Sequence, residues 1–192
     1  MPRHAPAAST TLHGVLMRVH GVGVLLTGAS GVGKSELALE LLSRGHRLVA
    51  DDAAEFTMAR GVLRGRCPPL LQGFIEARSL GILNVRRLYG SRSVLGTTRL
   101  DLIVALDTPG ALPETGLERL SGLRSTRKVL GIDVPAVSIP VRLGHNLAVL
   151  VEAACRDDRL RRQGYRADAD LTRRQMLEIR KQDPRPSPGK PK

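Results

Sequence analysis

The sequence predicts an α/β fold, with a mainly β-sheet core, flanking helices and further helices towards the C-terminus. Short aliphatic and β-branched runs recur at strand length between turn residues. A glycine-rich loop follows one of these runs and leads directly into an amphipathic segment over residues 34–44. Helical periodicity returns from Leu147 onward. The predicted strands cover residues 15–19, 22–27, 47–50, 100–106 and 134–139.

The glycine-rich loop fits the phosphate-binding pattern G-x-x-x-x-G-K-[ST] at every fixed position. Its glycines let successive backbone N–H groups converge on phosphate, and the N-terminus of the next helix adds partial positive charge. Lys34 can reach the terminal phosphates, and the Ser35 hydroxyl can help to coordinate Mg²⁺. Gly45 provides the helix stop. The residues predicted to bind nucleotide are Gly28, Ala29, Ser30, Gly31, Val32, Gly33, Lys34 and Ser35.

Two further helices are predicted in the last third of the chain. The first begins at Leu147, keeps apolar residues at i, i+3, i+4 spacing and ends before Gly164. Asp168 or Asp170 can cap the second, which runs to about Gln182 and carries many arginines on one side. These arginines form either a solvated face or a contact with a partner.

Composition limits the classes of function. The formal net charge of +12 favours anionic partners, although scattered arginines can also reflect a coding bias. Aromatic residues make up only 2%, which argues against nucleic acid as the main ligand. Cys67 and Cys155 lack metal-ligand spacing and fit a reducing compartment. Because the sequence shows neither a secretory signal nor an apolar stretch of membrane-spanning length, we expect a cytoplasmic protein without a membrane partner.

The sequence predicts one domain with disordered ends. Residues 1–11 are small and polar and include prolines, and the basic tail at 183–192 has no apolar residue to anchor it. The folded domain is therefore expected over residues 12–182.

Asp51 and Asp52 directly follow the predicted strand at 47–50, where a pair that orients a metal or its waters is expected. One carboxylate can face the metal, while the other lies near the γ-phosphate as general base, or as general acid in the reverse direction. Aspartate pairs also occur at strand-ending turns for structural reasons alone.

Several segments in order carry a family resemblance. They are HGVL at 13–16, GVGVLLTG at 21–28, RGHRLVADD at 44–52, IEARSLGILNV at 75–85 and IPVR at 139–142. Together they resemble the catalytic domain of HPr kinase/phosphorylase, a bacterial family that phosphorylates a serine of the phosphocarrier protein HPr. The resemblance covers about residues 12–169.

The resemblance implies a fold related to phosphoenolpyruvate carboxykinases, with ATP and Mg²⁺ as cofactors. It also implies HPr as partner and a homo-oligomer, commonly a hexamer. The chain lacks the H-R-D-x-x-x-x-N loop of eukaryotic protein kinases. Family members typically carry an upstream N-terminal domain, and the sequence leaves open whether this chain is a short natural form or part of a longer one.

The resemblance also implies roles for individual side chains. Asp52 takes the acid/base role, with Asp51 as the second candidate for it. Glu76 is the second metal contact beside Ser35, because hard oxygen ligands suit Mg²⁺. His13 matches the catalytic histidine, although a lone histidine in a strand is usually a packing residue.

Two further family positions affect the transferred phosphate. Arg119 matches the catalytic arginine, whose guanidinium can neutralise charge on the transferred group. In the loop associated with dephosphorylation, Leu143 replaces a usual proline and His145 replaces a usual arginine. These changes remove rigidity and a permanent charge, so the phosphorylase activity is less firmly predicted than the kinase activity.

The predicted function is therefore ATP-dependent phosphorylation of a serine on HPr, with phosphorolysis by inorganic phosphate as the reverse reaction. One alternative is a nucleotide-sensing module of the same fold without turnover. Another is a small-molecule kinase, because a phosphate loop does not specify the acceptor.

Overall fold

A computed structural model describes residues 8–108, 122–142 and 144–182 of the chain. The chain divides into two units, one ending at Arg159 and the other beginning at Leu160. The described strands, β1 to β12 in chain order, are Ser9–His13, Val15–Val19, Val22–Gly28, Arg47–Ala50, Ala53–Ala59, Val62–Arg66, Phe74–Ala77, Gly81–Asn84, Thr97–Arg99, Leu102–Asp107, Arg124–Val129 and Ile132–Pro140. The described α-helices, α1 to α4, are Lys34–Ser43, Val85–Tyr89, Leu147–Arg162 and Ala167–Gln182.

The strands predicted from sequence are all present, with small shifts at their ends. The segment predicted as one strand over 100–106 begins at Leu102, after the separate strand β9. The helix after the glycine loop and both C-terminal helices are confirmed. The mixed α/β class with a sheet-dominated core and C-terminal helices is therefore confirmed.

The predicted disorder of residues 1–11 is wrong for residues 9–11. These residues belong to β1, which pairs antiparallel with β5 from Ser9 opposite Thr57 to His13 opposite Ala53. Apart from Leu12, β1 has little apolar character, so the backbone ladder to β5 orders it rather than a hydrophobic run. Residues 1–7 and the tail at 183–192 lie outside the described residues.

A six-stranded sheet in the first unit has the order β11-β12-β10-β3-β2-β4. Its central strands β3 and β10 are parallel and are buried on both faces. One face packs against α1 and the beginning of α3, through residues such as Val24, Leu41 and Val151. The other face packs against a four-stranded antiparallel sheet of order β1-β5-β6-β9, where Leu25 and Phe56 are buried.

Strand direction determines where the functional groups lie. β2 is antiparallel to both β3 and β4, so β3 and β4 run in the same direction, and β10 runs parallel to β3. The carboxyl ends of these three strands therefore share one edge of the sheet, which is where ligands bind in open α/β sheets. A separate hairpin of β7 and β8 supplies the second wall of the site.

The second unit contains the end of α3 and all of α4. The Arg166 guanidinium hydrogen-bonds the Asp168 carboxylate at 2.7 Å and lowers the pKa of Asp168 to about 2. This acidic residue lies in the first turn of α4, where negative charge favours a helix N-terminus. Among the described residues, no helix combines the length and apolar character that crossing a bilayer requires.

Candidate active site

The glycine loop connects the carboxyl end of β3 to α1. At Gly28 the backbone has φ +143°, and a Cβ would lie 2.5 Å from the Leu106 carbonyl oxygen, so only glycine fits. Gly33 has φ +97° and directly precedes α1. The Lys34 Nζ donates hydrogen bonds to the carbonyls of Gly28 at 2.9 Å and Ala29 at 3.0 Å. These two hydrogen bonds hold the Lys34 ammonium against the first residues of the glycine loop.

Asp51 connects the loop helix to the β7–β8 hairpin. Its Oδ1 accepts from the Ser35 hydroxyl at 3.5 Å, and its Oδ2 accepts from the Glu76 backbone N–H at 2.8 Å. Burial raises the pKa of the Asp51 carboxyl, and the adjacent Asp52 charge adds to that shift. The hydrogen bonds from Glu76, Asp52 and Ser35 act in the opposite direction. The raised pKa means that burial disfavours the ionised Asp51 carboxylate. A bound cation would therefore stabilise it.

Asp52 faces solvent on the other side of the same turn. The Ala53 N–H donates to the Asp51 carbonyl at 2.7 Å, so Asp52 is the central residue of a γ-turn and has φ +61°. This left-handed conformation is costly for most residues, although aspartate and asparagine tolerate it best. Asp52 Oδ1 lies 3.8 Å from His13 Nδ1, and both side chains are highly exposed. The two neighbouring aspartates therefore point to different surroundings.

Glu76 lies in β7, and Arg78 lies in the turn that directly follows this strand. Both line a cavity of about 250 Å³ together with the glycine loop and both aspartates. The Arg78 guanidinium donates to the Ser30 hydroxyl at 3.1 Å. It also lies so close to Gly31 that a Cβ there would be 2.8 Å from Arg78 Nη1. Arg78 thus braces the tip of the loop.

A second cavity of about 410 Å³ lies next to Gly28, where the glycine loop begins. His13 and Gly28 border it, together with Asp107 at the end of β10 and the cationic pair Arg127 and Lys128. This cavity offers groups of both charge signs directly beside the phosphate loop.

The structure brings most of the sequence-predicted site together. Lys34, Ser35, Asp51, Asp52 and Glu76 line one cavity. His13 borders the second cavity, and its Nδ1 lies 3.8 Å from Asp52 Oδ1. Arg119 and Leu143 lie outside the described residues. His145 is described and exposed, and its backbone N–H donates to the Arg142 carbonyl.

Sequence reasoning did not select Arg78 as a site residue. It lies in the IEARSLGILNV segment, two positions after Glu76, and its place in that segment was the signal that could have found it. The γ-turn at Asp52 had no sequence signal beyond the aspartate pair itself.

Strand, glycine loop and helix, with a lysine, a serine and a carboxylate group around one cavity, define a phosphate-loop nucleotide-binding domain. The family model described as the HPr serine kinase C-terminal domain matches residues 4–175. The chain belongs to this family.

Individual relatives agree with that assignment. The chain is 55% identical over 160 residues to HPr kinase/phosphorylase of Xylella fastidiosa strain M12 and 56% identical to the protein of that name from Xanthomonas campestris pv. campestris strain B100. Each alignment covers 82% of the chain and 51% of the relative. The chain thus spans about half the length of these curated relatives.

The fold agrees with that of a solved relative. The structure of HPr(Ser) kinase/phosphatase from Coxiella burnetii superposes with a TM-score of 0.78 at 34% sequence identity. The match covers 84% of this chain and 98% of that one.

Proposed function

We propose that this protein transfers the γ-phosphoryl group of ATP to a serine hydroxyl of the phosphocarrier protein HPr. The observation that carries the proposal is that the two aspartates have different contacts and different exposure. Asp51 accepts hydrogen bonds from Ser35 and from the Glu76 backbone, whereas Asp52 is exposed at the cavity rim, 3.8 Å from His13. Phosphoryl transfer requires these two functions, one that holds a metal–phosphate and one that accepts a proton.

The residues present fit a magnesium ion. The Ser35 hydroxyl and the Asp51 and Glu76 carboxylates offer oxygen donors at one cavity, which is the donor chemistry that Mg²⁺ prefers. Ser35 and Glu76 are the proposed direct contacts, with Asp51 orienting Ser35. When bound, Mg²⁺ neutralises charge on the β- and γ-phosphate oxygens. The backbone N–H groups of the loop and the Lys34 ammonium hold the same phosphates from the other side.

In the kinase direction the serine oxygen of HPr attacks the γ-phosphorus and forms a new O–P bond. The bond between the γ-phosphorus and the β,γ-bridging oxygen breaks, and ADP leaves. Asp52 takes the serine proton as general base. Its exposure and its separation from Asp51 leave it accessible to an acceptor that approaches from solvent. The proposed role of His13 is to contact the transferred phosphate beside Asp52, and that of Arg119 is to neutralise its charge.

In the reverse direction an oxygen of inorganic phosphate attacks the phosphorus of phosphoserine. The bond from phosphorus to the serine oxygen breaks, and Asp52 returns a proton to that oxygen as general acid. The products are serine on HPr and pyrophosphate. The reverse reaction is less strongly supported than the kinase reaction, because Leu143 and His145 replace a proline and an arginine of the family pattern.

The surroundings of the cavity favour a protein acceptor over a small molecule. On the hairpin that carries Glu76 and Arg78, Leu80 is 68% exposed and Ile82 is 74% exposed. Leu70, on the approach to the hairpin, is 87% exposed. Exposed apolar groups beside a reaction site are typical of a docking surface for another protein. HPr as partner, a homo-oligomeric and commonly hexameric state, a cytoplasmic location and a kinship with phosphoenolpyruvate carboxykinases belong to the same proposal, and the family membership supports them.

The test is transfer of labelled γ-phosphate from Mg²⁺-ATP to purified HPr, with a serine-to-alanine HPr as the control acceptor. Label on the wild-type acceptor alone is the expected result, and added inorganic phosphate should then release the label as pyrophosphate. Binding of ATP without any transfer would favour the nucleotide-sensing module instead. Label on small metabolites in preference to HPr would favour a small-molecule kinase.

A further inference from the structure

A cluster of two histidines and a glutamate lies at the end of the sheet opposite the glycine loop. His20 occupies the tight turn between β2 and β3, and His46 directly precedes β4. Glu152 projects from α3 within the first unit. β3 has seven residues, so at about 3.3 Å per residue this end lies roughly 20 Å from the loop. The cluster is therefore separate from the proposed phosphoryl-transfer site.

The three side chains turn their donor atoms towards one point. His46 Nε2 lies 2.7 Å from Glu152 Oε1, and His20 Nε2 lies 3.7 Å from the same oxygen. The three donor atoms lie within 4.8 Å of one another. Tetrahedral zinc with bonds of 2.0–2.1 Å places its ligand atoms about 3.3 Å apart. Shifts on the order of an ångström would thus convert the cluster into a set of three ligands.

His20 provides an independent sign that the cluster holds something. Its Nε2 atom is buried and has no hydrogen-bond partner among the described residues. An unsatisfied buried nitrogen is costly, and such groups call for an explanation such as an ion. The ring meets His46 edge to face, with centroids 4.7 Å apart, so packing already fixes its orientation. A cation between the rings would satisfy the free nitrogen without any change of fold.

The charged surroundings suit the ligand forms of these groups. Burial and the nearby Arg156 cation lower the pKa of His20, which keeps its imidazole neutral near pH 7. The hydrogen bond from His46 lowers the pKa of Glu152 and keeps its carboxylate ionised. Arg44 donates to the other oxygen, Oε2, at 3.3 Å, and Oε1 faces the two histidines, where a cation would replace its hydrogen bond with His46. Such a second contact orients a ligating carboxylate.

We propose that His20, His46 and Glu152 form a zinc-binding site, with water as the fourth ligand. Two imidazoles and one carboxylate with an open position are a donor set that zinc uses in proteins. His20 is 29% exposed and Glu152 is 18% exposed, so a cation and a water can enter from solvent. Occupancy would join the β2–β3 turn, the start of β4 and α3, three elements far apart in sequence.

The test is a Zn²⁺ titration of the purified full chain against a chromophoric zinc chelator, with excess Mg²⁺ present to occupy oxygen-rich sites. One equivalent of tightly bound Zn²⁺ is expected. Glu152→Gln and His20→Gln should each weaken binding at least about tenfold. His145→Gln, which changes an exposed histidine outside the cluster, is the matched control and should bind like the parent. The circular dichroism spectrum of each variant verifies folding.

A second readout separates this site from the proposed magnesium site. Co²⁺ bound by the parent chain should give the intense visible absorption of a tetrahedral site, and Glu152→Gln should remove it while Glu76→Gln retains it. Equal zinc affinity in the parent and Glu152→Gln would overturn the proposal. So would loss of the absorption in Glu76→Gln alone. Neither result depends on phosphoryl transfer, so this inference and the proposed function can fail separately.

Discussion

The two ends of strands β3 and β4 differ in how their charged groups are satisfied. At the loop end, Asp52 is 83% exposed, and its nearest histidine, His13, lies 3.8 Å away. At the far end, Glu152 is 18% exposed and contacts His46 at 2.7 Å and Arg44 at 3.3 Å. The loop end thus keeps its charges available, whereas the far end pairs them with one another.

Left-handed backbone occurs at both ends and does not separate them, because His20 has φ +47° in the turn at the far end. The loop end contains the γ-turn at Asp52, with φ +61°, and the left-handed Gly33 that precedes α1. Such conformations cost free energy and cluster at functional sites. The far end of α1, by contrast, is held by buried Leu41 and Leu42. The exposed charges of the loop end suit a reaction site, whereas the paired charges of the far end and the buried leucines of α1 favour stability.

The largest expected effect is the loss of phosphoryl transfer in Lys34→Ala. Among the described residues, the Nζ atom bonds two loop carbonyls and no other group, so its removal should change Tm by less than about 2 °C. Transfer to HPr should fall by about 10²- to 10³-fold, because a cation aimed at developing charge is lost. Lys181→Ala on α4 serves as the matched control, and steady-state kinetics with a melting curve measure both quantities. Normal transfer by Lys34→Ala would break the comparison.

Leu41→Ala should show the opposite behaviour at the far end. Leu41 is fully buried in the core, so truncation leaves a cavity that costs about 3 kcal/mol of unfolding free energy. For a chain of this size Tm should fall by about 6–12 °C. Transfer per folded molecule should not change. Leu88→Ala, which truncates an exposed leucine, is the control for Tm, and a loss of kcat at temperatures where Leu41→Ala is fully folded would contradict the division.

Arg78→Ala should reduce kcat/KM for ATP by about 10- to 100-fold. The Arg78 guanidinium braces Ser30 at the loop tip, so its loss should loosen the loop and misplace the phosphates. Arg78→Lys keeps the charge but not the planar fork and should recover only part of the activity. Full activity in the alanine variant would mean that Arg78 has no functional role at the site.

The smallest effect concerns the stability of Asp51→Asn. Burial raises the pKa of Asp51, so its ionised form is less favourable in the folded than in the unfolded protein. Asparagine removes that penalty and can still accept the Glu76 backbone hydrogen bond, so Tm at pH 7 should rise by about 1–3 °C. Transfer should nevertheless fall, because the carboxylate beside Ser35 is gone.

The pH dependence gives the sign of the Asp51 effect. As pH falls through the raised pKa of Asp51, the wild-type carboxyl gains its proton in the folded state and loses the penalty. The difference in Tm between Asp51→Asn and the wild type should therefore shrink as pH is lowered from 7 towards 4. A difference that grows on acidification would mean that the pKa of Asp51 is lowered rather than raised.

Local patterns predicted which residues meet at the loop end, because most of them lie in short contiguous segments. The run from Gly28 to Ser35 and the pair Asp51 and Asp52 each lie within one short segment. Glu76 came only through the family resemblance, since a lone exposed glutamate carries no signal of its own. The structure then joined it to Asp51 through a backbone hydrogen bond.

The remaining features depend on pairing between distant segments. Strand β1 was missed because its order comes from its ladder with β5, which no run of apolar residues announces. The cluster contains His20, His46 and Glu152, and its first and last residues are 132 positions apart in the chain. No periodicity encodes such a meeting, because it results from the order of the strands in the sheet and the return of α3.

The most direct test of the central claim is Asp52→Asn, measured for both Mg²⁺-ATP binding and transfer to HPr. Asparagine is nearly isosteric and tolerates the left-handed backbone at this position, so the fold should be preserved. The account predicts ATP affinity within about threefold of the parent and a loss of transfer of about 10²- to 10⁴-fold. Transfer at the parental rate would contradict it, as would a loss of ATP binding that accounts for the whole loss of transfer.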